Sequence, residues 1–162
     1  MAAGRRGRGG AAGAPLIGRA GGDDADALRT LFREYFAWLG PEGWFSDVEA
    51  ELAALPGGYD ALLVARDGEE VVGCVALRPI EDGICEMKRL YVQPVGRGSG
   101  AGRALVEPIV EEARRLGYRT MRLDTLPTMA AAQALYGSLG FTEIERYNDN
   151  PVEGVRFFEL TL

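Results

Sequence analysis

Glu86-Met87-Lys88-Arg89-Leu90-Tyr91-Val92-Gln93-Pro94-Val95-Gly96-Arg97-Gly98-Ser99-Gly100-Ala101-Gly102-Arg103-Ala104-Leu105 is the stretch on which the reading of the fold turns. It begins as a strand, passes into a loop with glycine at 96, 98, 100 and 102, and ends as the first turn of a helix. A plain strand–helix connection does not need that many glycines. An anion site does: successive backbone N–H groups converge at a helix N-terminus, the helix dipole favours negative charge, and absent side chains let phosphate approach closely. Arg97 can add a positive charge. A P-loop is excluded, because no Gly-Lys-Ser/Thr ends the run. A dinucleotide fingerprint fits in part: Gly96, Gly98 and Ala101 match G-x-G-x-x-A, and Asp124 ends the next strand, where a ribose-binding acid would sit.

Working outward, the residues before this stretch alternate between β-rich runs and tight turns: Ala61 to Arg66, Val71 to Ile80 and Ile84 to Val92, separated by Asp67-Gly68 and Glu81-Asp82-Gly83. Such spacing predicts an antiparallel meander. Beyond it come a helix from about Gly100 to Leu116, a strand Thr120 to Thr125, a helix Thr128 to Leu139, and strands Phe141 to Glu145 and Val155 to Leu160. Pro108 inside the third helix predicts a kink. A dinucleotide-binding sheet usually opens with its glycine motif and repeats βαβ units, whereas here the meander comes first and one crossover follows.

Two helices precede the sheet, after a short strand at Leu16 to Arg19. Asp23 and Asp24 can cap the first, whose Leu28, Leu31, Phe32, Tyr35 and Leu39 recur at helical spacing. Gly40-Pro41 stops it. Ser46 and Glu49 have capping-box spacing and open the second, through Leu55. Residues 1–14 are a Gly/Arg-rich tail with too little side chain to offset the cost of ordering it, so they are expected to be disordered, and 15–162 form one domain.

Composition narrows the chemistry. The four arginines of residues 1–22 leave 14 basic against 24 acidic residues in 23–162, a net charge of −10. That disfavours nucleic acid or an anionic membrane as partner and suits a cationic one. With no histidine in the chain, Ser-His-Asp and Cys-His catalysis and His-ligated zinc are excluded. No metal site is expected. Cys74 and Cys85 sit in apolar runs and read as buried thiols rather than a disulfide. No apolar run reaches the ~20 residues of a membrane span, and the N-terminus lacks a signal-peptide core, so a cytoplasmic location is expected.

Arg97-Gly98-Ser99-Gly100-Ala101-Gly102 resembles the R-G-x-G-x-G/A pyrophosphate loop of the GCN5-related N-acetyltransferases, the GNAT family, and Leu135-Tyr136-Gly137-Ser138-Leu139-Gly140-Phe141 resembles their L-Y-x-x-x-G-F signature. The element order fits this resemblance from about residue 16 to 162. It implies an α/β fold with a central mixed, mostly antiparallel sheet flanked by four helices, its strands splayed at an acetyl-CoA cleft. Leu90, Tyr91 and Val92 would pair with pantetheine, and Arg97, Gly98, Ser99, Gly100, Ala101, Gly102 and Arg103 would hold the pyrophosphate. Glu86 takes the place of the general base in several relatives, its plainer reading being a strand Glu paired with Lys88 or Arg78. Tyr136 matches the general acid. Many relatives have an Asn where this chain has Met129. The expected activity is direct acetyl transfer to a primary amine, on a small molecule or an exposed protein amine; a non-catalytic acyl-CoA-binding module and a nicotinamide-dependent oxidoreductase are the alternatives. Tyr35, Trp44 and Phe45 are candidates to line the acceptor pocket, favouring a cationic or aromatic amine, and Asn148-Asp149-Asn150-Pro151 is a loop able to cap it. A homodimer is left open.

Overall fold

The computed structural model describes residues 13–40 and 47–162. Seven strands form one sheet in the order β1-β2-β3-β4-β5-β7-β6, with β1 at Leu16–Arg19, β2 at Ala61–Asp67, β3 at Glu70–Glu81, β4 at Ile84–Val92, β5 at Thr120–Thr125, β6 at Thr142–Ile144 and β7 at Arg156–Thr161. Every pairing is antiparallel except β4 with β5. Helices α1 (Ala25–Leu39) and α2 (Val48–Ala54) lie on one face, α3 (Ala101–Arg115) and α4 (Ala130–Ser138) on the other. This is the mixed, mostly antiparallel sheet with four helices that the sequence predicts.

Two apolar clusters explain the layering. On the α3 side, Leu63, Val75, Leu77, Met87, Met121 and Leu123 of the sheet meet Leu105, Val106 and Ile109; on the α1 side, Leu62, Val64, Cys74 and Ala76 meet Leu28, Leu31, Phe32 and Phe36. Because helices cover both faces, β2 is buried at every position from Ala61 to Ala65 and reads as a continuous apolar run rather than an alternating one. In α1 the buried residues fall at helical spacing, so a single stripe docks on the sheet.

Both N-terminal helix caps differ from the expectation. The Asp24 carboxylate does not cap α1; it accepts the Gly21 N–H at 2.8 Å and pairs with Arg66 of β2 at 2.7 Å, which ties the helix start to the sheet. Helix α2 is capped by Asp47, which accepts from Ala50 N, while Ser46 lies outside the described residues. So do residues 1–12 of the tail, together with Trp44 and Phe45. The helix stops hold: Gly117 and Gly140 follow α3 and α4 at φ +91° and +94°. Both cysteines are buried free thiols, and Pro108 lies within an α3 that runs unbroken to Arg115.

The functional geometry follows from how little β4 and β5 share. They pair only over Ile84, Cys85 and Glu86 against Thr120, Met121 and Arg122, and beyond Glu86 the strands diverge. Meanwhile β4 stays on β3 as far as Val92, paired with Gly73. A Cβ at Gly73 would stand 3.0 Å from the Tyr91 carbonyl oxygen and 3.2 Å from a Leu105 methyl, leaving no room for a side chain where α3 crosses the sheet. Gly73→Val is therefore expected to lower unfolding free energy by about 1–3 kcal/mol through overpacking. Urea denaturation measures it, and an unchanged midpoint contradicts this packing.

Candidate active site

The divergence of β4 and β5 creates a cavity of about 70 Å³, floored by Leu90, Leu123 and Met87 and walled by Tyr35, Trp38, Asp124, Tyr136 and Asn150. A groove of about 490 Å³ adjoins it and shares Trp38, Leu90, Met129 and Ala132 with it. That groove runs along Leu90, Tyr91 and Val92, past Arg97, Gly98, Gly100, Ala101, Gly102 and Arg103, to the start of α4. The glycine loop and the two catalytic-side walls thus belong to one continuous depression.

The loop has the form of an anion cradle. After a 3₁₀ turn at Pro94–Gly96, Gly98 and Gly100 take φ +81° and +82°, and a Cβ at either would meet nothing within 4 Å. The backbone faces open space where a phosphate fits, and only glycine adopts these angles freely. Gly96 and Gly102 serve packing instead: a Cβ on them would reach Val92 at 3.1 Å and Leu135 at 3.4 Å. Arg97 stacks on the Trp38 and Tyr91 rings at 5.4 and 5.7 Å and donates Nε–H to the Val92 carbonyl. Ser99 bonds back to the Gly96 carbonyl, and Arg103 bridges α3 to Ser138 of α4 at 2.6 Å.

Beyond Glu86, no β5 residue pairs with β4, so the backbone of Leu90, Tyr91 and Val92 has an open edge toward the groove. These residues fit acetyl-CoA: a glycine cradle for its pyrophosphate and a free strand edge for its amide-bearing pantetheine arm. Met129, where many relatives carry Asn, lines both groove and cavity and accepts a long bond from the Thr125 hydroxyl at 3.6 Å.

Tyr136 projects from α4 into the cavity, its ring packed at a tilt against Phe141 and Phe158, with centroids 5.7 and 6.3 Å away. Its hydroxyl makes no hydrogen bond to a described residue. Burial, with Tyr35 and Asp124 close by, raises the phenol well above its ordinary value, so it stays protonated. Tyr35 also lines the cavity and is raised to about 12, mainly by burial.

Glu86 is placed differently from the expectation. It is 1% exposed and does not line the cavity. Oε1 takes Arg78 at 2.7–2.8 Å and Lys88 at 3.5 Å, while Oε2 accepts the Tyr147 hydroxyl at 2.6 Å. Both pairings that the plainer reading offered are present together. Lys88 is the chain's one lysine, and its side chain is 6% exposed.

The carboxylate that does face the cavity is Asp124, at the end of β5. Its Oδ2 accepts from Asn148 at 2.8 Å and Asn150 at 3.2 Å, and its Oδ1 bonds to no described residue. In the sequence Asp124 reads only as a ribose-binding acid and Asn148–Pro151 as a capping loop; the structure joins the two. Trp38 belongs to the aromatic-rich run of α1, where helical spacing alone does not separate a cavity wall from a surface residue. Among the described residues no cluster of His, Cys, Asp or Glu forms a metal site, and no helix is long and apolar enough to cross a membrane.

A chain with a glycine cradle, a splayed strand pair and a tyrosine at their junction has the architecture of an acyl-CoA-dependent acetyltransferase. Residues 25–141 match the acetyltransferase (GNAT) family model. Over 145 residues the chain is 41% identical to the uncharacterized N-acetyltransferase C1271.07c of Schizosaccharomyces pombe, covering 86% of this chain and 89% of that one. Among solved structures, a Salmonella typhimurium protein described as an acetyltransferase, with its cofactor acetyl-CoA, superposes with TM-score 0.73 at 26% identity over 91% of this chain and 94% of that one. The GCN5-related N-acetyltransferase of Kribbella flavida shares the fold at TM-score 0.72 and 24% identity, covering 92% and 98%. The protein belongs to the GNAT family and is an acetyl-CoA-dependent N-acetyltransferase. The co-substrate is therefore acetyl-CoA rather than a nicotinamide dinucleotide.

Ligand that binds only the native state stabilises it by RT ln(1 + [L]/Kd), about 2.7 kcal/mol at a hundredfold excess over Kd. CoA is expected to raise the melting midpoint of the parent protein. Gly100→Asp, which puts bulk and negative charge into the cradle at a positive φ, should abolish that rise; an equal rise in both proteins would place the pyrophosphate elsewhere.

Proposed function

We propose that the protein acetylates a primary amine, on a small molecule or an exposed protein terminus or side chain, by direct attack of the amine on the thioester. The observation that carries this reading is the meeting of Tyr136 and Asp124 in one cavity at the end of the CoA groove. Acetyl-CoA supplies an activated acyl carbonyl and a thiolate leaving group. The protein's residues must then hold the amine near the carbonyl, remove its proton and return one to sulfur. Asp124 Oδ1 is open to an ammonium, and its two amide donors keep the carboxylate in one orientation. Tyr136 carries the proton the leaving group needs. No covalent acyl-enzyme is required, and both thiols are buried, raised to about 12 chiefly by burial, and poor nucleophiles.

In this scheme Glu86, offered by the resemblance as the base, acts at one remove. Its Oε2 holds Tyr147 and lies 3.5 Å from Asn148, the same residue that orients Asp124. The aromatic walls Tyr35 and Trp38 beside Asp124 favour an acceptor that is cationic, aromatic or both. Trp44 and Phe45, in the α1–α2 connection, remain proposed acceptor contacts.

A panel of amines with thiol release as readout tests the assignment. Tyr136→Phe should lower kcat about 10²-fold or more with CoA affinity and midpoint almost unchanged. Asp124→Asn should lower it comparably and recover toward high pH, where the amine is already neutral. Glu86→Gln leaves Arg78 and Lys88 facing a neutral amide, so it should cost stability more than rate. High-pH recovery in Glu86→Gln with a parental rate in Asp124→Asn would make Glu86 the base. Because Tyr136 is held above its ordinary phenol value, the parent pH–rate profile should show no falling limb below about pH 10.

A further inference from the structure

Strand β4 contains one residue whose backbone and side chain are both unusual. Arg89 has φ +57°, the one positive φ at a non-glycine position among the described residues. It is the extra residue of a β-bulge: Ala76 pairs with Lys88 and Cys74 with Tyr91, so Val75 faces both Arg89 and Leu90. A residue with a Cβ avoids this left-handed conformation, and it persists where the surroundings dictate it.

The surroundings here are specific. Arg89 Nε and Nη2 donate to the two carboxylate oxygens of Glu51, on α2, at 2.8 and 2.9 Å, and the Tyr59 hydroxyl donates to the same carboxylate. The guanidinium lies 4.8 Å from the Phe36 ring centroid and 5.8 Å from that of Tyr35. On the strand itself, the Arg89 carbonyl, which the bulge takes out of the regular ladder, accepts the Cys74 thiol at 3.4 Å. Burial alone would raise the Glu51 carboxyl, but the bonds and charge of Arg89 outweigh it and hold it below its ordinary value. A bidentate pair with both partners enclosed fixes direction as well as distance.

The residue after Arg89 is Leu90, first of the three whose backbone edges the CoA groove. We propose that the Glu51–Arg89 pair is a positioning device for acetyl-CoA: α2, acting through Arg89, holds the β4 bulge and so fixes the direction in which the Leu90–Val92 backbone faces the pantetheine arm. Arg89 also lines the cavity between β4 and β5, and the role assigned to it here is that of a positioning residue, acting through the strand. The inference rests on the acetyl-CoA assignment and deepens it.

Two double variants separate the bulge from the side chain. Glu51→Gln/Arg89→Gly and Glu51→Gln/Arg89→Ala both remove the ion pair, but only glycine takes the left-handed angle without steric cost. CoA affinity is read by calorimetry, below the melting midpoint of each variant, so no turnover is needed. The glycine variant should bind within about threefold of the parent, and the alanine variant at least tenfold more weakly, because its competent bulge is populated a smaller fraction of the time. Arg89→Lys keeps the charge and loses the two-pronged geometry; it is expected to fold and to bind CoA about three- to tenfold more weakly, so the proposal stays testable if the double variants do not fold. Equal CoA affinity in the glycine and alanine variants, or parental affinity in Arg89→Lys, overturns the proposal. A parent that does not bind CoA overturns the cofactor assignment itself, and this inference with it.

Discussion

Strand β4 has to satisfy two demands that a regular strand cannot meet together. It must pair with β3 almost to its end, or the sheet loses its longest ladder, and it must leave β5 after Glu86, or no cleft forms. The bulge at Arg89 reconciles them. One additional residue bends and twists the strand while the ladder resumes at Tyr91 and Val92. The same insertion sends Lys88, Arg89 and Tyr91 toward the α1–α2 layer, and a guanidinium buried there without a counter-charge would be strongly destabilising. The seven-residue helix α2 supplies Glu51 for it. A short helix with one fully buried residue, Leu52, is thereby bound into the fold by charge as much as by apolar contact.

The two faces of the sheet are consequently unlike. Toward α3 and α4 it is mainly apolar, whereas the opposite face of β3, β4, β5 and β7 carries Arg78, Glu86, Arg122, Asp124 and Glu159. These charges are laid out in alternation, with Arg122 bonded to Glu159 at 2.8 Å and resting 5.5 Å from the Tyr147 ring. The β6–β7 loop closes over them with Tyr147, Asn148 and Asn150. Among the described residues no side-chain nitrogen or oxygen wholly closed off from solvent lacks a partner. A network so fully satisfied has little freedom to reorient, which is what a site needs if Asp124 is to face the cavity without reorganising during reaction.

Much of this was legible in the sequence, and the reasons are local. The glycine run could be read because each residue type there answers a backbone requirement, and Gly98 and Gly100 do take positive φ. Strand and helix limits fell within two residues wherever a turn dipeptide or a glycine stop marked them. Tyr136, which lines the cavity, stands in a readable motif. What escaped reading depends on contacts across the sheet. Whether Glu86 or Asp124 faces the cavity is settled by which strand still has a neighbour at that level, and no periodicity carries that information. Arg89 left one trace: Lys88-Arg89, two successive charges, interrupts the alternation of β4, and a bulge is the structural meaning of such an interruption. The pairing of Asp24 with Arg66 across 42 residues left none.

The enclosure of Lys88 bears on the chemistry of a thioester carrier. A bound activated acyl group is at risk from any neutral side-chain amine within reach, and lysine is the residue that supplies one. This chain has a single lysine, 3.5 Å from Glu86 and lining the cavity between β4 and β5 rather than the exterior. Its other cationic side chains are arginines, which remain protonated at any working pH. The exterior side chains thus offer the acyl donor no lysine, and the one lysine of the chain stands at the cavity instead.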